Sequence, residues 1–575
     1  MVKKSLKYIM LGCVLASGVS CTDQLRIDER QDSFDVNYFT YSRYQLTSAI
    51  VNTAKSYGQA VLDEPKNQAV LYFMDCYSSD QIAGFYTGNA QNWSFEGANP
   101  YTNQLRTLAA LVELAVNEDN LATAAAADVL KCVIGGYLTE KYGDVPFSEA
   151  VTGRSGNLFP KFDSQREIYE YMFGLLDNAV AILTNPASKG LPSDHDVLFK
   201  GDKAKWAKFA NSLKLRLMLH SYDAFKKAGR DLAPEFAAIL SSGVYMSSVT
   251  DAAALEFNGI DEAQSWYLQR KWGTGNNFTE QKPTKYLIDQ MIALDDPRMY
   301  VIFAPVLSPV SSKPTKVTEP VKINGYTYNI DYYPVTDYSS SELEAAGRDL
   351  EGNIISVPYT IDAMWLGTPN PQNVHLQYAG SGLPGSNSFY DNRRITGFST
   401  LISETHRNEL KAVMMEASEV MFILAEARQR GIISTGTVKE YYDKGIKLSF
   451  ERWGVVNGSK PASHLGSDRI IDNYDAYCEK AGVALDGTAA DLDKIALQKW
   501  LSLLVTNHTE AFTDVRRSGK PAFVPKVSAS LSQYEFPYRY KYPLDESSNN
   551  KEAYEAAVTG LGGKDLPSSK MWILQ

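Results

Sequence analysis

Cysteine and histidine are the scarcest reactive residues of this 575-residue chain, with five of one and six of the other. Cys13 lies in an N-terminal apolar run and Cys21 follows it. Cys76, Cys132 and Cys478 remain, too far apart to spell a disulfide framework or a paired-cysteine metal site. They read as buried free thiols. The histidines at 195, 220, 375, 406, 464 and 508 never fall at metal-ligand spacing, so no metal is expected. Catalytic signatures are missing as well. There is no GxSxG elbow, HExxH pair, phosphate-cradling GxxxxGK[ST] or EF-hand loop, and Gly273-Thr274-Gly275 lacks the third glycine of a dinucleotide fingerprint. A glycosidase pair of carboxylates leaves no mark in sequence, and nothing singles out two of the 67 acids. The expectation is a protein without enzymatic activity or cofactor.

Positive charge is in short supply too. The formal net charge is −10, and three of the lysines sit in the first seven residues. Nucleic-acid binding needs clustered Lys and Arg to neutralise phosphates, so it is excluded as a function. No apolar run reaches the roughly 20 residues of a membrane-spanning helix without charges.

What is present begins at the N-terminus. Lys3, Lys4 and Lys7 precede a short apolar stretch from Tyr8 to Ala16, and Ser17, Gly18 and Ser20 lead to Cys21. This is a secretion signal over 1–20, followed by the cysteine that a lipoprotein peptidase requires. Gly18 and Ser20 stand where Leu and Gly or Ala are commoner. Lipid on Cys21 would anchor the mature chain durably, since each buried CH₂ contributes about 0.8 kcal/mol and several acyl chains are attached.

Beyond it, 21–575 reads as one domain of mainly α class. A helical scaffold covers about 41–300 and 411–510. Trp206, Phe209, Ala210, Leu213 and Leu217 mark one helical face opened by Asp202, and Ser164-Gln165-Arg166-Glu167 is a capping box. Small residues facing aromatics between about 411 and 450 have the pattern of helix hairpins. Prolines, glycines and aromatics dominate about 303–396, which reads as a long irregular loop and short-strand region packed on the scaffold. A last helix is expected at 492–505, then an irregular Tyr- and Pro-rich tail over about 511–575.

Five segments carry a resemblance. They are Tyr142-Gly143-Asp144-Val145-Pro146-Phe147-Ser148-Glu149-Ala150; Gly201-Asp202 with Trp206 and Phe209 to Arg216; Asp296-Pro297-Arg298; Glu419 with Ala425-Glu426-Ala427 and Gly431; and Gln498-Lys499-Trp500 followed by Glu510-Ala511-Phe512, Asp514, Arg516-Arg517, Gly519 and Pro521. Tyr542-Pro543, Glu546, Asn549-Asn550 and Gly562 to Asp565 extend it into the tail. In this order, after a lipoprotein signal, they resemble the SusD/RagB family of outer-membrane nutrient-binding lipoproteins. The resemblance implies a scaffold of four tetratricopeptide-like helix pairs. It also implies a partner, a SusC-like TonB-dependent transporter in the outer membrane, and a ligand that is an oligosaccharide or, in the RagB branch, a peptide. A surface adhesin without a transport role is the third reading. The motif charges look structural: Asp144 suits a turn carboxylate, and Arg516 and Arg517 are within reach of Asp514 or Glu510.

The 35 tyrosines and eight tryptophans supply candidate ligand platforms, because flat rings beside amides suit the apolar faces and hydroxyl rims of sugars. Two stretches have that composition. One is 85–93, with Tyr86 and Trp93; the other is 266–277, with Trp266, Tyr267, Trp272 and Asn276. Trp365 and Tyr378 in the irregular region are weaker candidates.

Overall fold

Helix formation follows the local signals closely. Ser42–Gln59 (α1) buries Leu46, Ala49, Ile50, Thr53, Ala54 and Tyr57. Arg106–Asn117 (α2), Leu121–Tyr142 (α3), Gln165–Thr184 (α4) and Lys203–Lys227 (α5) follow. Each packs on the next, and α1 lies against both α2 and α3. The computed structural model describes residues 41–59, 64–75, 83–87, 90–95, 98–260, 281–304, 317–323, 326–332, 397–398, 411–455, 474–521 and 536–575. Asn120 caps α3 through Thr123 N–H, and the Ser164/Glu167 box opens α4. Asp202 accepts the N–H groups of Ala204 and Lys205 at 2.9 and 3.1 Å to start α5. Gly143, at φ +96°, stops α3 in a conformation that a side chain would strain.

By length and mean hydropathy α3 could cross a membrane, although Asp128 and Lys131 interrupt its apolar run. It is a core helix instead: 83% of its most apolar window is buried in the fold. The motif after it packs closely, since a Cβ at Gly135 would lie 2.6 Å from the Phe147 ring. Ala233–Ser242 (α6) and Lys285–Leu294 (α7) complete this half.

The second group is Ala417–Gln429 (α8), Val438–Arg452 (α9), Asp491–Leu503 (α10) and His508–Ser518 (α11). Here α8 and α9 form a close hairpin in which a Cβ at Gly445 would meet Phe422 at 2.9 Å. Next, α10 packs on both, and α5 contacts α8 to join the groups. Helices packed on their sequence neighbours make the chain mainly α, with the helix-hairpin character of a tetratricopeptide-like scaffold.

Strands are few among the described residues and form antiparallel pairs. These are β1 (Phe73–Asp75) with β3 (Gln281–Pro283), β2 (Ala253–Leu255) with β8 (Ala412–Met415), β4 (Phe303–Ala304) with β7 (Gly397–Phe398), and the hairpin β5 (Val317–Ile323) and β6 (Tyr326–Tyr332). Two expectations are corrected. Residues 412–415 are strand rather than the start of a helix, because all four are buried and their backbone pairs with β2. The tail from 511 is not irregular throughout: α11 runs to Ser518, and Leu544–Asn549 (α12) and Lys551–Gly560 (α13) follow. Pro543 precedes α12 rather than breaking it, since a missing N–H costs little at a helix start.

Candidate functional site

The first aromatic stretch is placed almost completely, and its Phe85 and Trp93 are scaffold. Phe85 is buried against Tyr540 and Phe512, with ring centres at 4.5 and 5.5 Å. Trp93 was expected to face ligand; it is only 6% exposed. Tyr142, Tyr101, Phe162 and Tyr542 cage its ring at 5.1 to 6.1 Å, and its indole N–H donates to Glu546 Oε1 at 2.7 Å. The backbone beside it is tied to the same part of the chain, with Leu544 N–H on Ala90 O and Asp545 N–H on Gln91 O. Trp93 is thus a pin between an N-terminal loop and the C-terminal helices. Tyr86 is half-buried, and its carbonyl accepts from Lys541 Nζ at 2.7 Å. Gln91 and Asn92 are the exposed side chains beside it. The second stretch, with Trp266, Tyr267, Trp272 and Asn276, lies outside the described residues, as do Cys21, Cys76, Trp365 and Tyr378.

The motif charges meet in one buried lattice. Arg216 on α5 grips Glu419 on α8 at 2.5 and 2.6 Å. His220, one turn on, lies between Glu140 of α3 at 2.7 Å and Glu510 of α11 at 3.0 Å. Burial by itself would lower the His220 pKa, but Glu510 and Glu140 outweigh it and raise it to about 9. Glu510 is held well below the ordinary carboxylate range: burial pushes it up, and His220, Lys499 and Arg216 overcome that. Lys499 on α10 reaches Glu510 at 2.8 Å and also contacts Asp514.

Arg517 pairs with Asp514 at 2.9 Å, as expected, and with Glu426 of α8 at 2.7 Å. That second partner was not anticipated. Among the described residues Arg516 engages no carboxylate directly and donates instead to the carbonyls of Glu140 and Tyr538. Arg298 is fully buried on Asp296 and bonds Gln498 and Ser449 at 3.0 Å. Asp144 accepts Gln165 N–H at 2.7 Å, while Asp163 takes the N–H groups of Phe147 and Ser148. These residues therefore tie helices to one another or to the loops beside them.

Ligand atoms of His220, Glu510 and Asp514 lie within 4.8 Å of one another, a spacing that would suit a cation. The Lys499 ammonium already serves both carboxylates, so the cluster is an ion-pair network. Cys132 and Cys478 are buried and free, and burial raises both thiols, Cys478 to about 11. One concavity of about 230 Å³ opens beside Glu426, Lys499 and Arg517. Another, of about 800 Å³, lies beside the start of α5 and the end of α9.

Two family models match this arrangement of segments. The first, described as starch-binding and associating with outer membrane, matches residues 35–359. The second, described as SusD and RagB outer membrane lipoprotein, matches residues 375–574. The chain belongs to the SusD-like family. Solved structures agree in fold. A SusD homologue from Bacteroides fragilis is 21% identical with a TM-score of 0.69, covering 93% of this chain and 100% of that one. A Bacteroides vulgatus outer membrane protein associated with nutrient binding is 19% identical, with a TM-score of 0.68 over 93% and 100%. A chitin-binding SusD homologue from Flavobacterium johnsoniae is 19% identical, with a TM-score of 0.63 over 93% and 98%. No curated protein matches the chain. In this SusD-like chain the residues that made the family legible are the ones that hold the helices together, while the candidate ligand rings are not among them.

Proposed function

We propose that this protein captures an oligosaccharide at the outer surface of the outer membrane, is held there by lipid on Cys21, and passes its ligand to a SusC-like TonB-dependent transporter. The observation that carries the reading is membership of an outer-membrane family, matched first by a starch-binding model over 35–359. The chitin-binding relatives support a polysaccharide ligand. The protein acts by binding rather than by catalysis. Among the described residues, His220 is clamped between two carboxylates and the Cys132 and Cys478 thiols are buried with raised pKa, so these three groups are not poised as base or nucleophile.

With Trp93 used as structure, Trp266, Tyr267, Trp272, Asn276 and the half-buried Tyr86 carry the sugar contact in this reading. A protein that must release its ligand needs only modest affinity, between about 1 mM and 1 μM. Losing one stacked ring removes about 1–3 kcal/mol of that. The test is a screen of neutral and charged glycans and of peptides against the mature protein. Trp266→Ala and Trp272→Ala should each weaken the best glycan tenfold or more with an unchanged melting temperature. Binding of peptides alone, or glycan binding indifferent to both substitutions, refutes the proposal. Cys21→Ala should abolish labelling by radioactive fatty acid, and persistent labelling refutes the anchor.

A further inference from the structure

The 800 Å³ groove shares no lining residue with the Trp93 cage and is built from four chain segments: 197–205, 249–256, 411–418 and 448–454. Its loop is fixed in advance. Asp196 is fully buried, and its carboxylate accepts N–H groups from Leu198, Phe199, Gly201 and the Trp206 indole at 3.1, 3.0, 2.9 and 2.8 Å. That knot holds Lys200 at φ +56°, a left-handed conformation uncommon for a residue with a side chain. Backbone strain of this kind persists only where the surroundings over-determine it. Lys200 thereby stands exposed on the groove wall, with the half-buried Lys205 at the start of α5. Among the described residues neither ammonium makes an ion pair. Glu256, whose charge Lys200 also feels, is held by Lys411 at 2.6 Å.

The end of α9 supplies another wall, and there two donors are unmet. Arg452 pairs with Glu416 through one arm, but its Nε–H has no acceptor among the described residues. Its guanidinium lies 5.4 Å from the ring centre of Trp453, which is 5% exposed and whose indole N–H is likewise without an acceptor. Buried donors are nearly always satisfied in folded proteins, so two unmet ones on neighbouring residues that line a cavity leave a place for an oxygen from outside once a side chain moves. The lining carboxylates do not forbid a negative one. Glu256 and Glu416 are paired with cations, and Glu451 lies 4.0 Å from Lys447.

We propose that this groove is a second glycan site selective for acidic oligosaccharides, in which a uronate carboxylate accepts from Arg452 Nε and Trp453 Nε1 and is flanked by Lys200 and Lys205. Both nitrogens are covered, so the Trp453 ring shifts toward the groove on binding. The apolar face of the sugar lies against Val197 and Leu448, which line the same space. The proposal rests on the glycan-capture reading and deepens it by naming a ligand class.

The test uses full-length mature protein and calorimetric titration with three probes: a galacturonic acid tetramer, a neutral galactose tetramer and a glutamate tetrapeptide. The uronate should bind, more weakly at higher salt because exposed lysines contribute. Lys200→Ala combined with Lys205→Ala should weaken it tenfold or more without lowering the melting temperature. Trp453→Phe keeps a ring, removes the N–H, and should weaken the uronate threefold or more. A uronate affinity unchanged in the lysine variant overturns the proposal, as does a glutamate peptide that binds equally well. Absence of any uronate binding overturns it too. In that case, neutral-glycan binding that depends on Trp266 and Trp272 leaves the capture reading standing, so the two failures are distinguishable.

Discussion

Trp93→Ala separates a pinning role from a ligand-stacking role. The ring is caged by four aromatic residues, so its removal leaves a cavity, and large-to-small changes of this kind cost about 3–5 kcal/mol. The hydrogen bond to Glu546 goes with it, and bonds to charged groups contribute about 1.5–3 kcal/mol. Water entering the new cavity recovers part of that second amount, so a total near 4–5 kcal/mol is expected. Unfolding entropy near the midpoint is about 2.1 cal/mol/K per residue, or roughly 1.2 kcal/mol/K over the chain if it unfolds as one unit, so the melting temperature should fall by about 3–4 °C.

A more sensitive assay is local. Trp93 and the Ala90–Gln91 backbone tie the early loop to α12, so limited proteolysis should cut near 544–560 much faster in the variant than in the parent. Trp93→Phe should fall between the two, and in a double-mutant cycle Trp93→Phe and Glu546→Gln should be less than additive by about 1 kcal/mol or more. A Trp93→Ala protein that melts and digests like the parent while losing its glycan would refute the reasoning and restore the ring as a ligand platform.

Three further outcomes follow from the buried charges and the close helix contacts. The folded pKa of His220 is raised to about 9 from an ordinary 6.5, so its stabilisation is full below about pH 6.5 and lost as pH rises through 9. Glu510 is depressed and acts in the opposite sense, stabilising above the ordinary glutamate range and less as pH falls. Melting temperature scanned from pH 5 to 10 should therefore decline on the alkaline side, and His220→Gln should melt earlier and lose that part of the slope. Arg298→Ala strands the fully buried Asp296 and should cost about 3–5 kcal/mol in urea unfolding, with a null result arguing that Tyr477 and water take over the carboxylate. Gly135→Ala puts a methyl 2.6 Å from the Phe147 ring and should cost about 1–3 kcal/mol, measured in the same way.

The chain's own sequence determined what depends on near neighbours. Ser164 with Glu167, Thr437 with Glu440, and Asp202 with the two N–H groups after it are contacts within a few residues, so the helix starts are legible without a fold. The order of the motif segments was enough to give the family, because each is a short run. Tertiary structure decided everything that depends on distant partners. Arg216 meets Glu419 across 203 residues, Arg517 meets Glu426 across 91, and Trp93 meets Glu546 across 453. No spacing rule links such pairs; helix packing does. The same reason explains the misreadings. Trp93 in a Tyr- and Asn-rich stretch has the composition of a sugar platform, and only the arrival of Tyr142, Phe162 and Tyr542 around it makes it a pin. Residues 412–415 are apolar enough for either helix or strand, and the backbone of Ala253–Leu255 alongside them selects strand. The groove formed by Lys200, Lys205, Arg452 and Trp453 exists only because segments some 250 residues apart pack side by side, leaving two donors without an acceptor among the described residues.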